Sequence, residues 1–199
     1  MPEIIDFITS HGLEILGFCV GILYLWWEYH ADNRVWLASV VMPGISMWIY
    51  FSKGLYADFG INIYYLVMAV YGYATWTSGR GTRSKASLPV THIPGWGILV
   101  SAVASLLLWA ALAWMLMTFT DSNVPYADAF TTALSIVGTW MLARKWAEQW
   151  IVWFVVDAVC VGLYIYKGLV FYPILYGVYT VISLFGYRKW LRMIKSPAS

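Results

Sequence analysis

Asp157 lies well inside an apolar run, residues 149–166. An unpaired acid at mid-membrane depth costs about 2.5–3.5 kcal/mol on insertion scales, so a functional role is its default reading. The alternative is a protonated or hydrogen-bonded Asp that pins helices together. Trp150, Trp153 and Asp157 are spaced i, i+3, i+7, and Tyr164 follows one heptad later. At helical pitch these residues share a face. An anion flanked by aromatic rings is how a dry site holds an organic cation. The acid supplies Coulomb attraction and the ring faces add a cation–π term. Trp150, at the end of the run, also reads as an interface anchor. Asn62 offers amide donors and acceptors that suit a heterocycle edge, and it reads equally as glue between helices. Tyr176 offers a donor and a ring together.

Other polar residues carry less chemistry. Thr131, Thr132, Ser135 and Thr139 are expected to return to the carbonyl four residues back. Glu14 and Asp128 fall near one membrane surface, where they attract cations or cap helix starts. His11, His30 and His92 have no ligand spacing, so no metal and no cofactor is assigned. Cys19 and Cys160 lie far apart in apolar runs and read as small buried hydrophobes.

The elements that position these residues follow from composition. Of 199 residues, 61% are hydrophobic and 11% charged, with a mean hydropathy of +0.69. A soluble domain carries roughly 45–50% apolar and about 25% charged residues. The balance excludes a soluble enzyme, a disordered chain and a coiled coil. A net charge of +2 without a basic stripe argues against nucleic-acid partners. The chain reads as an all-α integral membrane protein, whose partner is the lipid bilayer. Continuous apolar runs suit helices, which satisfy their own backbone in lipid, and do not suit a barrel. MPEIIDF carries no basic residue, so no signal peptide is expected.

Seven runs are legible, at roughly 10–29, 34–51, 55–76, 97–119, 127–144, 149–166 and 169–190. If they alternate, one side holds only Lys53 and Lys167. The other holds Arg34, Arg80, Arg83, Lys85, Arg144, Lys145, Arg188, Lys189, Arg192 and Lys195. Basic residues mark the cytoplasmic side, which puts the N-terminus outside and the C-terminus in the cytoplasm.

A shift of 114 residues superposes two halves. Lys53-Gly54-Leu55 falls on Lys167-Gly168-Leu169, and Gly72-Tyr73 on Gly186-Tyr187. Trp36, Tyr50, Tyr65 and Trp76 fall on Trp150, Tyr164, Tyr179 and Trp190. Between 36–76 and 150–190 there are 11 identities in 41 gapless positions. The expected architecture is therefore one transmembrane domain, 1–199, with three helices, one and three. Repeat one is 10–76, the linker helix 97–119 and repeat two 127–190. A shift of four helices preserves orientation, so the repeats are parallel, as in SWEET transporters, with the substrate near the midplane between them. Asp157 falls on Pro43, and Asn62 on Tyr176.

These residues resemble the Pnu family of bacterial vitamin transporters over nearly the whole chain. The family signature W-x-x-W-x-x-x-N/D reads Trp150-Ile151-Val152-Trp153-Phe154-Val155-Val156-Asp157 here. Arg144-Lys145-Trp146-Ala147-Glu148-Gln149 is similar to the family's RKxxENW run. Leu55-Tyr56-Ala57 and Tyr71-Gly72-Tyr73 resemble its LYA and YGW stretches. The resemblance implies seven helices, a multi-pass protein of the bacterial inner membrane, and a homotrimer. It also implies facilitated diffusion of an unphosphorylated vitamin, trapped by a cytosolic kinase. The nicotinamide-riboside branch has Asn at the last signature place and Gln at the position of Asn62. Asp157 in place of Asn is similar to the thiamine branch (PnuT). Thiamine (vitamin B1) is thus the expected substrate, with nicotinamide riboside the alternative. The expected substrate-binding residues are Asp157, Trp153, Trp150, Asn62 and Tyr176.

Two other classes fare worse. A rhodopsin-type photoreceptor or pump needs a Lys inside the last helix, and none precedes Arg188 there. An intramembrane enzyme needs an acid dyad, a Ser–His pair or a metal cluster, which one mid-span acid without a mid-span His cannot build. No enzymatic activity is expected.

Overall fold

The computed structural model describes residues 20–52, 56–78, 88–168 and 171–196. Among these residues there are seven helices and no strand. They are α1 (20–29), α2 (Val35–Ser52), α3 (Tyr56–Ser78), α4 (Gly95–Phe119), α5 (Pro125–Ala143), α6 (Gln149–Tyr166) and α7 (Phe171–Lys195). The second to sixth expected runs match to within a few residues; the first half of the run 10–29 lies outside the described residues, and α7 continues past the apolar stretch to Lys195. Its last turn carries Arg192 and Lys195, which complement the negative end of the helix. Lys53, Leu55, Glu14, His11, Cys19 and the Arg80–Lys85 stretch lie outside the described residues.

The chain divides into two units, Met1–Ser87 and Leu88–Ser199. In the first, α2 packs on α3. Trp36 is fully buried, and its ring meets the Cα of Gly72, where any side chain would collide with it. Trp76 stands edge-on to it, with ring centroids 5.4 Å apart at 85°. A turn ahead of α2 is fixed by Asp32, which accepts the Arg34 backbone N–H at 2.9 Å and pairs with its guanidinium at 2.9 Å. Burial pulls the Asp32 carboxyl upward, but the Arg34 hydrogen bonds and charge outweigh it and hold the group below its ordinary value.

In the second unit α4 packs on α5, α5 on α6 and α6 on α7. The expected linker helix thus belongs with the second half. Its buried positions, Gly97 and Ala113, are small, while Ile98, Leu99, Val103, Leu106 and Leu107 are exposed. Such an apolar outer face suits lipid. By length and composition α4 and α6 can each cross a membrane. The core between α4, α5 and α6 gathers around Val137, Met141 and Trp146.

The tryptophan arrangement of the first unit recurs between α6 and α7. Trp150 packs on Gly186, where an added Cβ would sit 2.6 Å from the ring. Trp190 stands edge-on to Trp150 at 5.9 Å and 88°. Trp36, Gly72 and Trp76 correspond to Trp150, Gly186 and Trp190 at the offset of 114.

The turn between α5 and α6 is tied to the segment before α4. Lys145 is 2% exposed, has φ +58, and donates from Nζ to the Leu88 carbonyl at 2.8 Å. Its charge is used inside the fold, beyond the topological role expected from sequence. Glu148 accepts from the Ile93 N–H at 2.8 Å and pairs with His92 Nδ1 at 2.7 Å. The Thr91 N–H donates to the Lys145 carbonyl and the Ala147 N–H to the Thr91 carbonyl. The Arg144 guanidinium lies over the Trp96 and Trp146 rings at 5.7 and 5.6 Å. These contacts fix where α6 begins and hence the register of Trp150, Trp153 and Asp157.

Candidate functional site

Asp157 is 6% exposed on α6 and faces α7. The Ser183 hydroxyl lies 3.4 Å from Oδ2, and the same hydroxyl lies 3.0 Å from the Tyr179 carbonyl. One hydroxyl proton serves both acceptors, so the carboxylate receives a long, shared hydrogen bond. Its charge also acts on the hydroxyls of Tyr176 and Tyr179. Tyr176 lies 5.2 Å from Tyr164 and 5.8 Å from Tyr179 between ring centroids, and its hydroxyl is hydrogen-bonded with that of Tyr164. Cys160, one turn beyond Asp157, is buried with a free thiol. On the α7 side the acid thus has the Ser183 hydroxyl within reach, and the Tyr176 and Tyr179 rings stand on the same helix.

Geometry splits the aromatic face expected on α6. Trp150 faces α7 through Gly186 and Trp190. Trp153 lies over Gly138 of α5, where an added Cβ would meet its ring at 3.5 Å. Asp157 shares the α7 side with Trp150, seven residues earlier. Both indole Nε1 groups are buried without a hydrogen-bond partner among the described residues. Asn62 belongs to the other unit, on α3, with a partner of its own.

Several polar groups settle into plain roles. Thr131, Thr132, Ser135 and Thr139 all donate to the carbonyl four residues back, at 2.8–3.1 Å. Asp128 accepts from the Ser122 hydroxyl at 2.9 Å and pairs with Lys167 at 2.9 Å. Lys167 also lies 5.9 Å over the Tyr164 ring. Asp128 stands in the first turn of α5, and Lys167 supplies a counter-charge to it.

Sequence reasoning passed over Tyr179, Ser183, Gln149 and Glu28. Tyr176, Tyr179 and Ser183 repeat on α7 the i, i+3, i+7 spacing that singled out Trp150, Trp153 and Asp157. The same periodicity test could have found them. Glu28 ends the first apolar run, yet it is 2% exposed and hydrogen-bonded with Tyr24. Nothing in its spacing marks it.

Residues 11–192 match the sequence model of a family described as Nicotinamide mononucleotide transporter. The chain is 23% identical to the nicotinamide riboside transporter PnuC of Escherichia coli (strain K12), over 91% of this chain and 83% of that protein. It is 24% identical to the riboflavin/roseoflavin transporter RibM of Streptomyces davaonensis, over 89% and 83%. The PnuC of Haemophilus influenzae is 23% identical over 92% of this chain and 91% of its own. A crystal structure of the vitamin B3 transporter PnuC superposes with a TM-score of 0.71 at 20% identity, covering 98% of this chain and 86% of that one. Its fold is the fold of this chain. With a match that spans α2 to α6 whole and most of α7, the chain belongs to the nicotinamide mononucleotide transporter family, the PnuC-like integral membrane transporters.

Proposed function

We propose that the chain carries an unphosphorylated vitamin with a ring cation, nicotinamide riboside foremost, across the bacterial inner membrane by facilitated diffusion. A cytosolic kinase then traps the product. The observation that supports this most is the Asp157 carboxylate, buried on α6 beside the Ser183 hydroxyl of α7, which it shares with the Tyr179 carbonyl. A buried carboxylate with one shared hydroxyl donor is short of counter-charge, and a pyridinium supplies it. Riboflavin, which is neutral, has no use for that charge.

The ranking differs from the expectation of thiamine. The relatives compared above bear the names of nicotinamide riboside and riboflavin transporters. Thiamine remains the second reading because its thiazolium is also a cation. Asp157 and Asn62 stand where the nicotinamide-riboside branch resembled above has Asn and Gln. Asp157, Trp153, Trp150, Tyr176 and Asn62 are the proposed contacts, with Tyr179 and Ser183 added. The three, one, three arrangement of parallel repeats and the outside N-terminus belong to this reading. The recurring Trp–Gly–Trp packing supports the repeats. Uptake of labelled nicotinamide riboside into proteoliposomes, with unlabelled thiamine, riboflavin and nicotinamide mononucleotide as competitors, tests it. Nicotinamide riboside and then thiamine should compete. Competition by riboflavin alone refutes a cation site.

A further inference from the structure

Gln149, the first residue of α6, is fully buried, and both its amide N and its amide O lack a hydrogen-bond partner among the described residues. Buried polar groups are paired in the great majority of cases, and leaving a whole amide unpaired forfeits its hydration without return. Two more orphans stand close along the same helix, the Nε1 groups of Trp150 and Trp153. The Ser and Thr hydroxyls of α5, by contrast, are all satisfied within that helix.

The spacing adds a second, independent argument. Gln149, Trp153 and Asp157 stand at i, i+4 and i+8. Successive members rotate by about 40°, so the three form one stripe along α6. Eight residues of helix span about 12 Å. The stripe runs from the buried carboxylate to the end of the helix next to Arg144 and Lys145.

The Gln149 amide offers two donors and one carbonyl acceptor at the start of α6, while the two indole N–H groups lie apart, on the α7 and α5 sides. A ligand part that both donates and accepts, such as ribose hydroxyls or a carboxamide, can pair with both ends of that amide.

We infer that Gln149 is a second polar station for the transported ligand, between Asp157 and the basic end of α6, used during passage and not in initial capture. The inference rests on the function proposed above. Gln149 hydrogen-bonds the uncharged polar part of the ligand as the cation leaves Asp157. Without it the ligand would cross this stretch with its hydroxyls unpaired.

The test compares wild type, Gln149→Met, which keeps the length and removes the amide, and Gln149→Asn, which keeps an amide. Each is measured for calorimetric binding of nicotinamide riboside, for uptake rate in proteoliposomes and for thermal unfolding in detergent. Gln149→Met should keep wild-type affinity to within about threefold, keep or raise its unfolding temperature, and slow uptake by about tenfold. Gln149→Asn should recover part of the rate. Wild-type uptake by Gln149→Met overturns the inference and leaves the proposed function standing, since an internal water or packing then accounts for the amide. Equal slowing by Met and Asn at unchanged stability also overturns it, because the amide is then not used. If Gln149→Met unfolds early, Gln149→Leu, which also lacks the amide, decides: slowed uptake at wild-type stability supports the station, and a wild-type rate refutes it. Failure of the wild type itself to bind overturns the proposed function together with this inference.

Discussion

Trp150 lies directly on Gly186, with its ring atoms 2.6–2.8 Å from where a Cβ would stand. Glycine is required here for close approach, since the helices meet through an indole that leaves no room for a methyl. Gly186→Ala should therefore force α6 and α7 apart. Overpacking of this kind costs about 1–3 kcal/mol, visible as a lowered unfolding temperature in detergent. Gly72→Ala should do the same through Trp36. A variant as stable as wild type at either position would refute the shared packing.

Tyr176 separates ring from hydroxyl. Its ring stacks near Tyr164 and Tyr179, and its hydroxyl is bonded with that of Tyr164. Tyr176→Phe keeps the ring and should leave binding of nicotinamide riboside within about threefold. Tyr176→Ala removes the cation–π face, worth about 2 kcal/mol when desolvated, and should weaken binding by roughly thirtyfold. Equal losses in both variants would assign the effect to the hydroxyl.

Glu148 holds the start of α6 through His92 and the Ile93 N–H. Glu148→Ala leaves the Ile93 N–H unpaired and should cost about 1–3 kcal/mol of stability. Glu148→Gln keeps one acceptor and should cost less. The check is thermal unfolding at neutral pH, where an unchanged midpoint for Glu148→Ala would show that the tie contributes nothing.

Asp32 predicts a pH dependence with a definite sign. Arg34 holds its folded-state carboxyl below the unfolded value, despite the opposing effect of burial. Its stabilisation is fully present above about pH 4, the ordinary carboxyl value, and fades as pH falls through the lower folded value. The Arg34 side chain is 64% exposed and that of Asp32 30%, so solvent screening keeps the effect small. The gap in unfolding temperature between wild type and Asp32→Asn should shrink below about pH 4. A gap that widens on acidification would contradict it.

The helices were legible because lipid demands long apolar runs, and their ends fall where Gly, Pro and charges interrupt them. Asp157 was legible because a charge in such a run has few innocent explanations. The tyrosine side of the site was not legible. Tyr176, Tyr179 and Ser183 are compatible with lipid anchoring or packing until α7 is placed against α6, and periodicity alone does not say which face meets which helix. Trp150 and Trp153 read as one aromatic face, yet one lies on Gly186 and the other on Gly138. Small residues on the neighbouring helices decide where an indole fits, and their partners are three-dimensional information. Lys145 looked like a topological marker because sequence shows a charge but not the Leu88 carbonyl that receives it.

The proposed transport depends on Asp157 as counter-charge to a cationic vitamin. Calorimetric titration of wild type and Asp157→Asn with nicotinamide riboside tests this most directly. Asn keeps the shape and a hydrogen-bonding head while removing the charge. A buried ion pair left without one partner loses about 3–5 kcal/mol, so wild type should bind and Asp157→Asn should bind at least a hundredfold more weakly. Equal affinity of the two proteins for nicotinamide riboside would contradict the claim.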